Sequence, residues 1–296
     1  MENVVECKNL THFYGKRLIY ENMSFNITKG RIFGLLGKNG TGKTTTINIL
    51  NGYLKPKSGQ CLIFGEDSQN LSPAAKARIG FLMEGHIQYS FMNINQIEKF
   101  YSAFFKNWKK EAYYELMEKL EVMPAQKIST MSCGQRSQVA LGLILAQDPD
   151  LMILDDYSMG LDAGYRRLFL DYLNEYARAE GKTIFITSHI IQDLDNFVED
   201  IVVLDYRSVL LSSSVKDFKE GFHCYNFKLT PGGPTKITKD EIIYNSEIVK
   251  NHGVVYSFKS LSEVENHFKQ LKIPFTDLKE QAMDLEDAFI GLTGKY

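Results

Sequence analysis

The sequence is poor in cysteine, with Cys7, Cys61, Cys133 and Cys224 alone among 296 residues. Their spacing fits no zinc or redox motif, and so scattered a set is expected as reduced thiols in a cytoplasmic protein. Long apolar runs are missing too. No stretch approaches the roughly 20 apolar residues of a membrane span. The start, Met1-Glu2-Asn3-Val4-Val5-Glu6, carries acids where a signal peptide carries bases. If this protein moves anything across a membrane, another chain is expected to form the path. Surplus charge is also lacking: 34 Lys and Arg against 36 Asp and Glu leave a formal net charge of −2. That removes any whole-protein attraction to nucleic acid, though not a local basic groove. A composition of 44% hydrophobic and 24% charged residues excludes disorder as the default state. The length suits one large domain or a core domain with an appendage.

What is present centres on Gly37-Lys38-Asn39-Gly40-Thr41-Gly42-Lys43-Thr44-Thr45. This reads G-x-x-x-x-G-K-T, the P-loop. A strand-like run, Ile32-Phe33-Gly34-Leu35-Leu36, precedes it, and a helix-like run from Thr46 to Leu50 follows. Strand, glycine-rich turn and helix are the context the motif requires. Glycines let backbone N–H groups touch phosphate oxygens, and the helix N-terminus adds donors and a positive dipole end. Lys43 is expected on the β and γ phosphates, with the Thr44 hydroxyl on Mg²⁺. A chance glycine-rich turn is the competing reading, and the flanks speak against it.

Around this motif the chain alternates. Val4 to Ile27 reads as short strands and turns, and Gln60–Phe64 and Ile79–Met83 as strands. From about Asn95 to Met123 the period turns helical. Ile97, Phe100, Tyr101, Phe104, Phe105, Tyr113, Leu116, Met117 and Leu120 form stripes expected to be core. Helices are expected over Val139–Ala146 and Tyr165–Ala179, and buried strands over Leu151–Leu154, Lys182–Thr187 and Ile201–Leu204. Such alternation implies a mostly parallel sheet covered on both faces. Asp193 and Asp195 read as a solvated face. Near Ser212 to Phe218 the pattern changes. The remaining roughly 80 residues, about the size of a minor domain, read as strands at Phe222–Leu229, Val254–Phe258 and Ile273–Leu278. Helices are expected over Ser262–Leu271, with Ser262 near its cap, and Met283–Leu292.

Asp155 and Asp156 close the buried run Leu151–Leu154, the Walker B arrangement in which Asp155 would hold Mg²⁺, directly or through water. Alone that is a weak signal; downstream of a P-loop it is strong. The order of P-loop, helical insert, Met131-Ser132-Cys133-Gly134-Gln135, Walker B, Gly160-Leu161-Asp162 and Ser188-His189 resembles an ATP-binding subunit of an ABC transporter over about residues 2–212. The tail around Leu285–Gly294 is similar to that of the ABC-2 type exporter ATPases, a subgroup with drug, bacteriocin and antibiotic-peptide exporters. The resemblance implies an α/β P-loop ATPase core with an antiparallel β subdomain, and a helical subdomain at about 86–138. It places the nucleotide-binding domain at 1–215 and a C-terminal α+β accessory domain at 216–296.

It also implies roles. ATP and Mg²⁺ are the expected ligands. Tyr14 would stack on adenine, and Gly37, Asn39, Gly40, Thr41, Gly42, Lys43, Thr44 and Thr45 would hold the phosphates. Thr44, Asp155 and Glu84 would face the metal. Asp156 would be the catalytic base, with Lys43 and His189, the switch histidine, completing the catalytic set. Two such subunits would close head to tail, so that Ser132 and the Gly134 N–H reach the partner's ATP, Gln135 supports that turn, and Asp162 links the two sites. The second subunit, identical or not, and a polytopic membrane permease are the expected partners, on the cytoplasmic face of the membrane. No nucleic acid is expected.

Three positions depart from the family pattern. Asp156 stands where Glu is usual and is one methylene shorter, so hydrolysis is expected to be slower than in an Asp156→Glu variant. Glu84 replaces Gln near the phosphates, either as a tolerated variant or with an electrostatic penalty. Cys133 replaces the first signature glycine. It sits at a helix N-terminus, where thiols become more acidic, or it is simply small enough to fit. Slow turnover keeps a second function in play, an ATP-dependent sensor or immunity switch. A third is a soluble ABC ATPase with no transport role.

Overall fold

The structure, a computed structural model, describes residues 2–83, 89–158 and 160–294. They fall into two units, Met1–Ser212 and Ser213–Tyr296. The stretch expected to hold several short strands is one long hairpin, β1 (Asn3–Tyr14) and β2 (Arg17–Thr28). The pairing slips between Cys7 and Leu10 and again between Leu10 and His12. Asn9 and Asn22 take φ of 51° and 54°. Each slip inserts a residue and reverses which face the next side chains take, so alternation along the sequence looks broken although pairing continues.

After β3 (Ile32–Gly37) comes α1 (Lys43–Leu50). The strands β4 (Ser58–Ile63) and β5 (Glu66–Asp67) return to β1 and complete a four-stranded sheet, β2-β1-β4-β5. The short helix α2 (Pro73–Lys76), capped by Ser72, leads to β6 (Ile79–Leu82). Then follow α3 (Ile94–Ser102), opened by an Asn93–Gln96 capping box, and α4 (Lys110–Lys119). Ile97, Tyr113, Leu116 and Met117 are buried as their spacing requires. The rest of the stripe is not core. Phe104 is 69% exposed, and Phe100, Tyr101, Phe105 and Leu120 are only partly covered. Phe100 meets Tyr89 at 5.0 Å and Phe104 at 5.2 Å, a surface aromatic cluster extended by exposed Phe91. Helical periodicity says which residues share a face and is silent on what covers it.

The chain continues through α5 (Cys133–Ala146), longer at its start than the apolar period suggests, β7 (Leu151–Leu154), α6 (Ala163–Glu180), β8 (Thr183–Ile186), β9 (Asp200–Asp205) and β10 (Ser208–Ser214). The second sheet runs β10-β9-β3-β8-β7-β6. Its pairs from β9 to β6 are all parallel. Every residue of β7 and β8 is buried, the signature of strands covered on both faces. Phe25, Phe33 and Phe185 stack at 5.5, 5.8 and 6.2 Å between the two sheets. Each such pair adds about 0.5–1.5 kcal/mol beyond its area burial. Parallel register brings the C-terminal ends of β3, β8 and β7 side by side, the edge where open α/β sheets bind ligands.

The second unit contains α7 (Val215–Gly221), β11 (His223–Leu229), β12 (Asn245–Val249), β13 (His252–Ser257), α8 (Leu261–Gln270), β14 (Phe275–Gln281) and α9 (Leu285–Thr293). Its sheet, β12-β13-β11-β14, is antiparallel throughout. Tyr225, Phe227, Val255, Val264 and Phe268 build a core of its own. Ser260, not Ser262, caps α8, with its N–H donating to Glu263 Oε2 at 2.9 Å.

One carboxylate ties the helical insert to the parallel sheet. Asp148, at φ 54° just past α5, receives Lys182 Nζ at 2.7 Å, the Tyr176 hydroxyl at 2.8 Å and Lys109 Nζ at 3.2 Å on the same oxygen. Burial alone would raise its pKa, but the bonds from Lys182, Tyr176 and Lys109 outweigh that and hold it below the usual carboxylate range. A depressed folded pKa contributes stability that is complete above the unfolded value of about 3.9 and is lost as pH falls below it. Asp148→Ala is therefore expected to lower the unfolding free energy by about 2 kcal/mol near neutral pH. Urea titrations should show that deficit shrinking as the pH drops below about 3.9. A deficit independent of pH would assign the effect to packing.

Candidate nucleotide site

The P-loop is built by sterics as much as by charge. Gly42 sits at φ 108°, and a Cβ there would lie 2.7 Å from Ile19 and 2.8 Å from the Tyr20 ring. Only glycine permits both the turn and the contact. Thr41 is buried, and its hydroxyl donates to the Lys38 carbonyl at 2.8 Å, closing the loop. Lys43, 8% exposed, donates from Nζ to the carbonyls of Gly37 at 2.7 Å and Lys38 at 3.2 Å. Burial lowers its pKa, and Asp156 and Asp155 oppose that shift. Thr44 is exposed at the N-terminus of α1.

Opposite stand the residues that follow β7 and β8. Asp155 and Asp156 are 5% and 6% exposed. The Thr187 hydroxyl joins them: it accepts from the Asp156 N–H at 3.0 Å and donates to Asp155 Oδ1 at 3.0 Å. Asp156 takes φ 40°, a left-handed conformation that Asp and Asn tolerate better than most residues. Its Oδ1 accepts from the Ser158 hydroxyl at 2.9 Å, and its Oδ2 lies 3.2 Å from His189 Nε2.

Lys43, Asp155, Asp156, Thr187 and His189 line one cavity of about 240 Å³, together with Tyr14, Arg17, Asn39, Gly40, Gly42, Thr44, Thr45 and Ser188. Tyr14 stands half-exposed at its rim, its hydroxyl 3.4 Å from Thr45 Oγ1. Gly37 and Thr41 shape the loop without lining the cavity. Ser132, Gly134, Gln135 and Asp162 are outside its lining as well. Ser132 caps α5 through a capping box, its Oγ accepting from the Gln135 N–H at 3.1 Å and its own N–H donating to Gln135 Oε1 at 3.1 Å. A side chain on Gly134 would strike the Tyr165 ring. The Cys133 thiol packs on the turn at Gly160, where an added Cβ would meet Sγ at 2.8 Å. Asp162 is exposed and caps α6, its Oδ1 accepting from the Tyr165 N–H at 2.9 Å. Glu84 lies outside the described residues.

A P-loop lysine, a threonine at the helix start and two buried carboxylates around one cavity form a site for a nucleoside triphosphate. A family model described as ABC transporter matches residues 20–158. Over 210 residues the chain is 30% identical to the Nod factor export ATP-binding protein I of Cupriavidus metallidurans, covering 69% of each. The chain belongs to the ABC transporter ATP-binding family. It is 27% identical over 307 residues to the bacitracin transport ATP-binding protein BcrA of Bacillus licheniformis, spanning 99% of this chain and 98% of that one. A solved structure of an ATP-binding subunit of an ABC transporter superposes with a TM-score of 0.65 at 22% identity, over 73% of this chain and 92% of that one, and shows the same fold. The protein is thus the ATP-binding and hydrolysing subunit of an ABC transporter.

Several residues of this ATPase carry no signal of their role in the sequence. Arg17 lines the cavity and approaches the loop so closely that a Cβ on Gly40 would lie 3.2 Å from its guanidinium. In sequence it is only a turn residue. Thr187 reads as the last residue of an apolar run. Asp193, expected on a solvated face, instead accepts from Arg166 Nε at 2.6 Å and from the Tyr157 hydroxyl at 3.2 Å. Arg166 also donates to the Leu161 carbonyl at 3.2 Å. Three segments, one after β7, one before α6 and one after His189, are thereby tied together. Thr187→Val keeps the shape and removes the bridging hydroxyl. It should lower stability by about 1–3 kcal/mol, since it leaves the buried Asp156 N–H unpaired, and should slow ATP hydrolysis by about tenfold or more. Denaturant unfolding and steady-state ATPase assays check both; unchanged turnover would remove Thr187 from the catalytic apparatus.

Proposed function

We propose that this ATPase is the motor of an exporter whose membrane path is formed by a separate permease, with a peptide, drug or lipid-like compound as cargo. ATP binding closes it head to tail on a second nucleotide-binding subunit, and hydrolysis reopens the pair. One observation carries this reading: Lys43, Thr44, Asp155, Asp156 and His189 surround a single cavity, while Ser132 and Gly134 lie outside its lining. A signature helix start that its own cavity does not use is available to a partner's phosphates. The full-length likeness to a bacitracin transport ATP-binding protein supports a role in transport, and the likeness to a Nod factor export protein supports the export direction.

In this reading Lys43 and the P-loop N–H groups neutralise the phosphates, Tyr14 carries adenine, Asp156 accepts a proton from the attacking water, and His189 orients that water and the γ-phosphate. Gln135 fixes the start of α5, and Asp162 meets the partner's site. Thr44 and Asp155, hard oxygen donors on one cavity, fit Mg²⁺, which takes one or two protein oxygens and keeps phosphate and water ligands; Glu84 would add a third donor. When bound, Mg²⁺ supplies charge neutralisation at the β and γ phosphates. The nucleotide-binding domain is taken as residues 1–215 with its helical subdomain near 86–138, and 216–296 as the accessory domain.

No helix among the described residues is long and apolar enough to cross a membrane. The aromatic cluster of Tyr89, Phe91 and Phe104, exposed by 44%, 70% and 69%, supports docking of the permease on the helical subdomain at the cytoplasmic face of the membrane. One observation also favours a slow switch: both Asp156 oxygens already have partners, Ser158 and His189, which leaves the shorter side chain little reach toward water.

Asp156→Asn should cut turnover by about 10²-fold or more while ATP binding persists, and with Mg·ATP it should elute as a dimer in gel filtration. Wild-type turnover in that variant would unseat Asp156 as the base. Asp156→Glu should hydrolyse faster than wild type in a single turnover, although the left-handed backbone makes it less stable by about 1 kcal/mol. An equal or slower rate would mean the site is already adjusted to Asp. Co-purification with a polytopic membrane protein, lost in Phe91→Ser/Phe104→Ser, tests the docking face; retention by the double variant would place the permease elsewhere.

A further inference from the structure

His12 is 4% exposed, and neither of its ring nitrogens has a hydrogen-bond partner among the described residues. Buried polar atoms without partners are rare and costly. An apolar side chain of the same size would fill this place at lower cost. Burial lowers the pKa of His12, and Lys57 nearby lowers it further, both of which favour the neutral ring. Its clear contact is aromatic. The His12 and Tyr14 rings lie 4.9 Å apart at 77°, edge to face. On β1 His12 is the cross-strand partner of Tyr20, which is fully buried.

Tyr14 itself is 50% exposed at the cavity rim. Two contacts steady it: the hydroxyl near Thr45 Oγ1 at 3.4 Å and the ring against His12. An edge-to-face partner leaves at least one face of Tyr14 uncovered. A half-exposed tyrosine without such a partner would sample several rotamers, and a base binding to it would have to order it first.

We infer that His12 is the positioning residue for Tyr14 and sets the affinity of the site for the nucleobase, not for the triphosphate. The inference rests on the reading of Tyr14 as the base platform. His12 touches no part of the nucleotide and acts by holding the Tyr14 ring ready. Its polarised edge and π face do this; its bulk alone does not.

The test compares His12→Leu with His12→Phe in the whole chain, measuring binding of Mg·ATP and of Mg·tripolyphosphate, which has no base. Both variants remove the unpartnered nitrogens, so both should fold with a Tm no lower than wild type. His12→Leu should raise the Kd for ATP about threefold to tenfold, the worth of an aromatic pair, with tripolyphosphate within about twofold. His12→Phe keeps an aromatic partner and should bind ATP within about twofold of wild type. In a Tyr14→Ala background, His12→Leu should add nothing. Equal weakening of both ligands by His12→Leu, no weakening, or Phe behaving like Leu would overturn the inference. The Tyr14→Ala single variant separates the two layers. If it does not weaken ATP relative to tripolyphosphate, the platform reading falls and takes the inference with it. If it does while His12→Leu has no effect, only the role of His12 falls.

Discussion

Two carboxylates and one ammonium share a nearly dry corner of this molecule, and most of the architecture serves to keep them there. Lys43, Asp155 and Asp156 are each more than nine-tenths buried. Charges in such a place survive only if every one is hydrogen-bonded or paired. The bonds come from backbone and neighbours: two carbonyls for Lys43, the Thr187 hydroxyl for Asp155, Ser158 and His189 for Asp156. They exist because β3, β8 and β7 are adjacent and parallel. The stacked phenylalanines between the sheets and the Asp148 knot behind α5 matter to the chemistry through this alignment.

The parts of the site legible in the sequence are those whose chemistry is local. A P-loop must be contiguous, because its glycines, lysine and threonine act from one turn and one helix start. The signature is contiguous because Ser132 and Gln135 bond each other across a single helical turn. Walker B is a strand end. What escaped was made through space. Thr187 bridges two aspartates only because the sheet order sets β8 beside β7, an order that no period in the sequence encodes. Arg17 reaches the P-loop from a hairpin, and Asp193 meets Arg166 and Tyr157 across two loops.

The fold shows the same division. The parallel strands announced themselves as uniformly apolar runs. The N-terminal hairpin did not, because its bulges invert the alternation on which strand reading depends. The helical insert carries a clear helical period, yet Phe104 on its apolar stripe lies at the surface and not in the core. Amphipathic faces look alike whether they turn toward the protein's own interior or toward something outside it. In the second unit the small strand β12 and the helix α7 lack strong patterns, and the cap of α8 falls two residues before the serine that sequence favours.

The left-handed backbone at Asp156, φ 40°, carries a consequence for how such a subunit changes over generations. Few side chains sit comfortably there; Asp and Asn are among those that do. The two also differ by a single base change in their codons. With Asp156 as the proposed base, a swap between the two leaves this backbone conformation in place but exchanges the proton acceptor for a group that cannot act as one. On that proposed role, the step between an engine and a latch is a single base change, and the backbone at this position accommodates both residues.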